Sequence, residues 1–362
     1  MHFLHLTFLY FILNAFSADP TLEYPSSSPI KILKSISANP TTTNDVEPGV
    51  TNIIFQSKDD GLTWQDISNG LPEYEQPEGF FAGESDIYLH VKNVMYRSKS
   101  NLKTPVWEKE NVPDLKSTSS RPSTSIAFNR SGVMAYNYEG QIYQKIPTTE
   151  TWLPIYTNFK KHSMRSIFET SDGTVFLGYN HGLYKSTDKG KNWKQVQKDL
   201  VMNVVESEGV LIATGGSGIM RSTDNGEHWQ WVISEGGVGI SVERIDGGFA
   251  AISYSAGTKS RRIRISLDRG KTWQAIDEGL PASLSISSIK QMGKYLLYSH
   301  PDGIFRSSDM GKTWNSVHSS VDKTEFNYRT TLNSDPFNDH REVFTIYVSG
   351  NVLYAVAGSA GC

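Results

Sequence analysis

Reactive sites are built from a few residue types at fixed spacings, and the clearest recurring set in this chain is Ser-x-Asp-x-Gly-x-x-Trp. It occurs at Ser57–Trp64 ("SKDDGLTW"), Ser186–Trp193 ("STDKGKNW"), Ser222–Trp229 ("STDNGEHW"), Ser266–Trp273 ("SLDRGKTW") and Ser307–Trp314 ("SSDMGKTW"). A hydroxyl and a carboxylate so close together could serve acid–base or nucleophilic work. The same residues also suit a turn. Asp accepts hydrogen bonds from backbone N–H groups two or more residues on, Gly reaches positive φ without a Cβ clash, and Ser adds a second local bond. Five copies favour the turn: Asp59, Asp188, Asp224, Asp268 and Asp309 read as structural staples. Trp64, Trp193, Trp229, Trp273 and Trp314 then begin the next strand and lay an apolar face on a neighbour.

Other candidates lie away from these turns. "SRRIRIS" supplies Arg261, Arg262 and Arg264, the residue type that grips carboxylates bidentately, although strand alternation divides them between two faces. His162, His181 and His300 fall near turns, with Asp302 two residues after the last. The connector from Ser316 to Arg341 is much longer than its counterparts, and long loops in compact folds are often functional. It holds Tyr328, Arg329, Asp335, Phe337, Asp339, His340 and Arg341, a mixture suited to gripping a polar partner. Asp302, Asp322, Asp335 and Asp339 could supply the two facing carboxylates that glycoside hydrolysis needs, though Asp in Gly/Pro-rich turns ordinarily does turn chemistry. A second long connector is expected over Asn69–Gly83. Glu169, Glu206 and Glu243 end the first strand of three successive units, either as solvated strand ends or as an acidic arc at a channel mouth. Asn129-Arg130-Ser131 is a glycosylation sequon. The sequence contains no Gly-rich phosphate loop, zinc-spaced His cluster or nucleophile elbow, so neither cofactor nor metal is expected.

The elements that must position these groups follow from the tryptophans. Trp64, Trp107, Trp152, Trp193, Trp229, Trp273 and Trp314 recur every 36 to 45 residues. In a chain rich in short apolar runs bounded by Gly, Asn and Asp, that period predicts propeller blades of four strands each. From Arg165 the strands read "RSIFE", "TVFLGY", "LYKS" and "WKQV". After residue 50 the chain starts mid-unit with "TNIIFQS" and "WQDI", and it finishes mid-unit with "VFTIYV" and "VLYAVAG". The expected fold is therefore an all-β, seven-bladed β-propeller whose last blade is closed by N- and C-terminal strands, which also protects strand edges.

At this point the five phrases resemble Asp-box (BNR) repeats, and the resemblance covers residues 51–362. The family includes sialidases, xyloglucan-degrading glycosidases, the sortilin-type luminal receptor domain and a photosystem II assembly factor. The resemblance implies a structural box on the face opposite any catalytic cleft; it implies a fold and leaves activity open. A sialidase of this kind would need converging arginines, an acidic proton donor and a Tyr–Glu pair. The family's Arg-Ile-Pro tripeptide does not occur here, and "SSRPS" around Arg121 is no substitute. Xyloglucanases with this repeat use two propellers, whereas this chain has length for one.

The ends and the composition complete the expectation. Residues 1–17 read as a secretory signal, with Ala15 and Ser17 placed for cleavage before Ala18, although His2 and His5 stand where Lys or Arg is usual. Residues 18–50 read as a Pro/Ser/Thr-rich linker, with "IKILKSI" as a strand-like island, and 51–362 as the propeller. A net charge of −3 argues against nucleic acid, and Cys362, the one cysteine, permits no intrachain disulfide. The expected protein is an exported, monomeric binding or scaffolding module for a protein or glycan, without a membrane span once the signal is removed. The alternative is a carbohydrate-active hydrolase of the sialidase type.

Overall fold

The computed structural model describes residues 53–72, 77–113, 124–157, 163–317 and 343–358. The expectations for the signal, the linker, His162, Asp322, Tyr328, Arg329, Asp335, Phe337, Asp339, His340 and Arg341 lie outside them.

Short apolar runs interrupted by Gly, Asn and Asp fold into strands joined by tight turns, and these assemble into seven four-stranded antiparallel sheets. Blade 3 is typical. Its strands Met164–Glu169, Val175–Tyr179, Gly182–Ser186 and Lys194–Gln197 fall within a residue or so of the sequence reading. Blades 1 and 2 begin at Pro77 and Thr124, and blades 4, 5 and 6 begin at Val201, Gly239 and Ile289. Blade 7 joins both ends of the chain: Val343–Ser349 and Val352–Gly358 supply its first two strands, Ile54–Ser57 and Gln65–Asp66 its outer two. The seam runs antiparallel from Ile54 opposite Val356 to Ser57 opposite Leu353. First strands of successive blades pack on one another around the ring, and that of blade 7 returns to blade 1.

The core divides into seven apolar clusters, one per junction, and every marker tryptophan packs on the preceding blade. Trp64 of blade 7 lies with Met292, Leu297 and Ile304 of blade 6. Trp107 lies with Ile54 and Ile67, Trp152 with Tyr88 and Met95, and Trp193 with Tyr136 and Ile142. Trp229 meets Phe176, Trp273 meets Ile212, and Trp314 meets Ile252. Burying indoles between sheets holds the ring together without a disulfide.

Two details differ from the sequence reading. The indoles of the five full motifs stand immediately before the fourth strand rather than within it, for example Trp193 before Lys194. The second half of the supposed connector Asn69–Gly83 is a strand, because Pro77–Ala82 pairs with Asp86–Val91. Its Pro and Gly masked the pattern, and a register irregularity between Pro77 and Gly79 accommodates them.

Candidate functional site

Within each blade the first-to-second and third-to-fourth turns share one face of the ring. The second-to-third turns and the links between blades share the other. The repeated motif is always the third-to-fourth turn, so all five copies lie on one face.

In each copy the Ser Oγ donates to the Asp carboxylate and accepts the Gly N–H: at Ser222 the distances are 2.7 Å to Asp224 and 2.9 Å from Gly226. The same carboxylate accepts the N–H four residues on, from Thr63, Asn192, His228, Thr272 or Thr313. Its second oxygen takes that residue's side chain, Thr Oγ1 at Asp59, Asp268 and Asp309, the Asn192 amide at Asp188 and the His228 ring at Asp224. The backbone N–H and the amide of Asn192 hold Asp188 at about 2. The Thr313 side chain and N–H hold Asp309 at about 2. Asp224 and Asp268 are likewise pulled below the usual carboxylate range, chiefly by the N–H groups of His228 and Thr272. A general acid near neutral pH needs the opposite shift. These carboxylates are committed to architecture.

On the opposite face, Arg261, Arg262 and His300 gather around the link between blades 5 and 6. Arg261 is buried; its guanidinium donates to the Ile286 carbonyl at 2.8 Å and its N–H to the Ser283 carbonyl. Arg262 is half-buried and grips Asp277 bidentately at 2.7 and 2.8 Å, which raises the guanidinium further above its ordinary value. His300 is buried, and its Nδ1 accepts the Asp302 N–H at 3.1 Å while the exposed Asp302 carboxylate lies 3.3 Å away. Beneath them Tyr298 stacks on Phe305 and meets Trp314 edge-on; burial, then the charges of Asp302 and Asp277, push its phenol up. Arg264, on the same sheet face as Arg262, turns to Glu235 and Ser253. The three arginines thus engage three separate partners rather than converging on one substrate carboxylate.

Other candidates resolve differently. The acidic arc breaks up: Glu169 accepts the Ser131 N–H, Glu206 accepts the Ser171 N–H, and Glu243 pairs with Lys290. The sequon is closed: Asn129 Oδ1 accepts the Glu169 N–H, and its Nδ2, the glycan-bearing atom, is buried in the blade 2–3 junction. His181 sits in the blade 3 turn and is exposed. Among the described residues, no group of three or more His, Cys, Asp or Glu could hold a metal.

Sequence reasoning missed the inner rim of this face. The first strands of blades 1, 3, 4 and 5 each carry a register shift near their start, at Glu78, Arg165, Met202 and Ile240. Such bulges re-aim a side chain. Arg165 Nε donates to Asn180 Oδ1 at 2.7 Å, its guanidinium lies 5.4 Å over the Tyr138 ring, and the Asn180 amide reaches the Tyr138 hydroxyl. Glu78 lies 3.1 Å from the ring of the buried His90, whose burial lowers its affinity for a proton. A bulge is a relation between two strands, so no single run of sequence signals it.

With five boxes of this geometry on a seven-bladed ring, the chain is an Asp-box β-propeller. The BNR-Asp box repeat family matches residues 304–317. No curated protein is significantly similar in sequence. Among solved structures, virginiamycin B lyase from Staphylococcus aureus shares 11% identity over 84% of this chain and 99% of its own, with a TM-score of 0.55. An ancestral GH74 enzyme shares 14% identity, with a TM-score of 0.52, over 78% of this chain and 48% of its own. The GH74 xyloglucanase from Xanthomonas campestris shares 13% identity, with a TM-score of 0.47, over 65% of this chain and 45% of its own. The chain therefore spans less than half the length of either GH74 structure. At these identities the likeness is one of fold.

Proposed function

We propose that the protein is an extracytoplasmic binding module whose face opposite the Asp boxes takes a protein or glycan ligand, with the blade 5–6 sector at its centre. One observation carries this reading: every box carboxylate is consumed in its own turn, whereas the opposite face carries Arg262, Asp302 and Arg165, positioned by Asp277, His300 and Asn180. In this reading Arg261 and His300 support the surface from beneath, and Tyr328, Arg329, Asp335, His340 and Arg341 extend it from the long connector. No helix of the described residues is long and apolar enough to cross a membrane.

The rival reading, a sialidase-like hydrolase, requires arginines that converge, and Asp277, Glu235 and the Ile286 carbonyl hold them apart. The test is a glycan array run alongside a fluorogenic sialoside assay. Saturable binding without turnover, weakened at least tenfold by Arg262→Ala or by deletion of 318–340, is the expected result. Turnover abolished by Asp302→Asn would replace the proposal with the hydrolase.

A further inference from the structure

Between blades 2 and 6 the box face carries a repeated clasp that is interrupted once; at the junction with blade 7 the same register holds Val348, which cannot form it. Glu169, Glu206 and Gln291 occupy one register, each opposite the residue that pairs with a box serine: Val175, Leu211 and Leu296. Each side chain reaches back to the inner turn of the preceding blade. Glu169 accepts the Ser131 N–H at 2.8 Å. Glu206 accepts the Ser171 N–H at 2.6 Å and the Ser171 hydroxyl at 2.7 Å. Gln291 accepts the Asp246 N–H at 2.6 Å and donates to its carboxylate. The shared chemistry is a carbonyl or carboxylate oxygen placed on a turn amide.

At the junction of blades 4 and 5 the same register is filled by Arg244, opposite Phe249, which pairs with Ser266. A guanidinium has no acceptor atom, so the clasp cannot form. Glu208 opens a two-residue turn just as Asp246 does, and its N–H has no acceptor among the described residues. A cavity of about 270 Å³ lies there, lined by Ser171, Glu206, Glu208, Gly209, Arg244 and Asp246. Three carboxylates border it: Glu206 is bonded by Ser171, Asp246 by Gln291, and the exposed Glu208 lies 4.0 Å from the Arg269 Nε. Arg244 is exposed and, among the described residues, has no hydrogen-bond or ion-pair partner.

We propose that this cavity receives a carboxylate from outside the chain, seated between the Arg244 guanidinium and the Glu208 N–H. The ligand completes from solution the contact that a side chain makes at the other three junctions between blades 2 and 6. Its class is a singly charged carboxylate, because repulsion from the acids around the rim grows with ligand charge and is least offset by the single Arg244 for a multiply charged anion such as phosphate. A small organic acid and an Asp or Glu side chain of a partner protein share this chemistry. The site lies on the face opposite the proposed ligand surface and does not depend on it.

The test follows the Glu208 and Gly209 backbone amides of the full chain by NMR during titration. The probes are propionate, a blocked neutral peptide with one Glu, and inorganic phosphate. Saturable shifts with propionate and peptide are expected, at least fivefold weaker in Arg244→Gln and largely kept in Arg244→Lys, with the Asp246 amide unmoved. Tighter binding of the peptide assigns a protein partner, and equal binding assigns a small acid. Absence of saturation with both carboxylates, an unchanged affinity in Arg244→Gln, or equal binding of phosphate overturns the proposal.

Discussion

Asp188 and Asp309 show what a box carboxylate does for the protein. Both sit at about 2 in the folded chain, against an ordinary value of 3.8. A carboxyl held low by folding contributes its stability in full above its unfolded value and loses it as pH falls through the folded one. The melting temperature should therefore be level above about pH 4 and fall between about pH 4 and about 2. Asp188→Asn, which keeps the shape without the charge, should flatten that fall in a pH series of thermal melts. The adjoining glycine is as demanding. Gly226 has φ of +76°, and a Cβ there would stand 2.5 Å from the Phe176 ring. Gly226→Ala should cost about 2–4 kcal/mol in denaturant titration, strain and crowding together. Gly279→Ala, with φ of +80° and open space around it, should cost only about 1–2 kcal/mol. Both roles were legible in the sequence, because a Ser-Asp-Gly turn satisfies its own hydrogen bonds within a few residues.

At the scale of the blade, the indole and the charge pair share the work of joining neighbours. Trp64 is buried against blade 6, and Trp64→Ala should cost about 3–5 kcal/mol, read by chemical denaturation. Blade 2 lacks the box, and Lys145 fills the serine's register. Its buried ammonium bonds Glu110 at 2.8 Å and lies 3.2 Å from Glu150. Lys145→Ala leaves the buried Glu110 carboxylate without its ammonium and should cost about 3–5 kcal/mol. The double variant Lys145→Met, Glu110→Gln should cost clearly less than the single one, which a double-mutant cycle would measure. The spacing to Trp152 placed this unit correctly, but the exchange of a serine for a buried lysine gains meaning only from Glu110, contributed by the blade before it.

At the scale of the molecule, closure is the feature most exposed to test. Blade 7 depends on Val343–Gly358 for its inner strands, and the pairing from Ile54 opposite Val356 to Ser57 opposite Leu353 is the clasp of the ring. Removing 343–362 should uncover the apolar faces of blades 1 and 6 and replace one cooperative melt with a broad, lower one, followed by calorimetry or hydrogen exchange. The candidate ligand face was only partly legible. Arg261, Arg262 and His300 were singled out by residue type, yet whether each is buried or presented depends on the link that folds over them. Arg165 and Arg244 drew no notice, because one owes its placement to a bulge and the other to a clasp absent between two blades.

The amino-acid order alone determined the turns, the count of four-stranded units and the pairing of the two chain ends. Those features rest on short-range hydrogen bonding and on a period that repeats about every forty residues. Tertiary structure alone decided which side chains face one another across a junction: Glu206 on Ser171, Arg264 on Glu235, Arg244 on an open cavity. The physical reason is that side-chain direction alternates with every residue of a strand, so it follows from inter-strand register and bulges that no local stretch encodes.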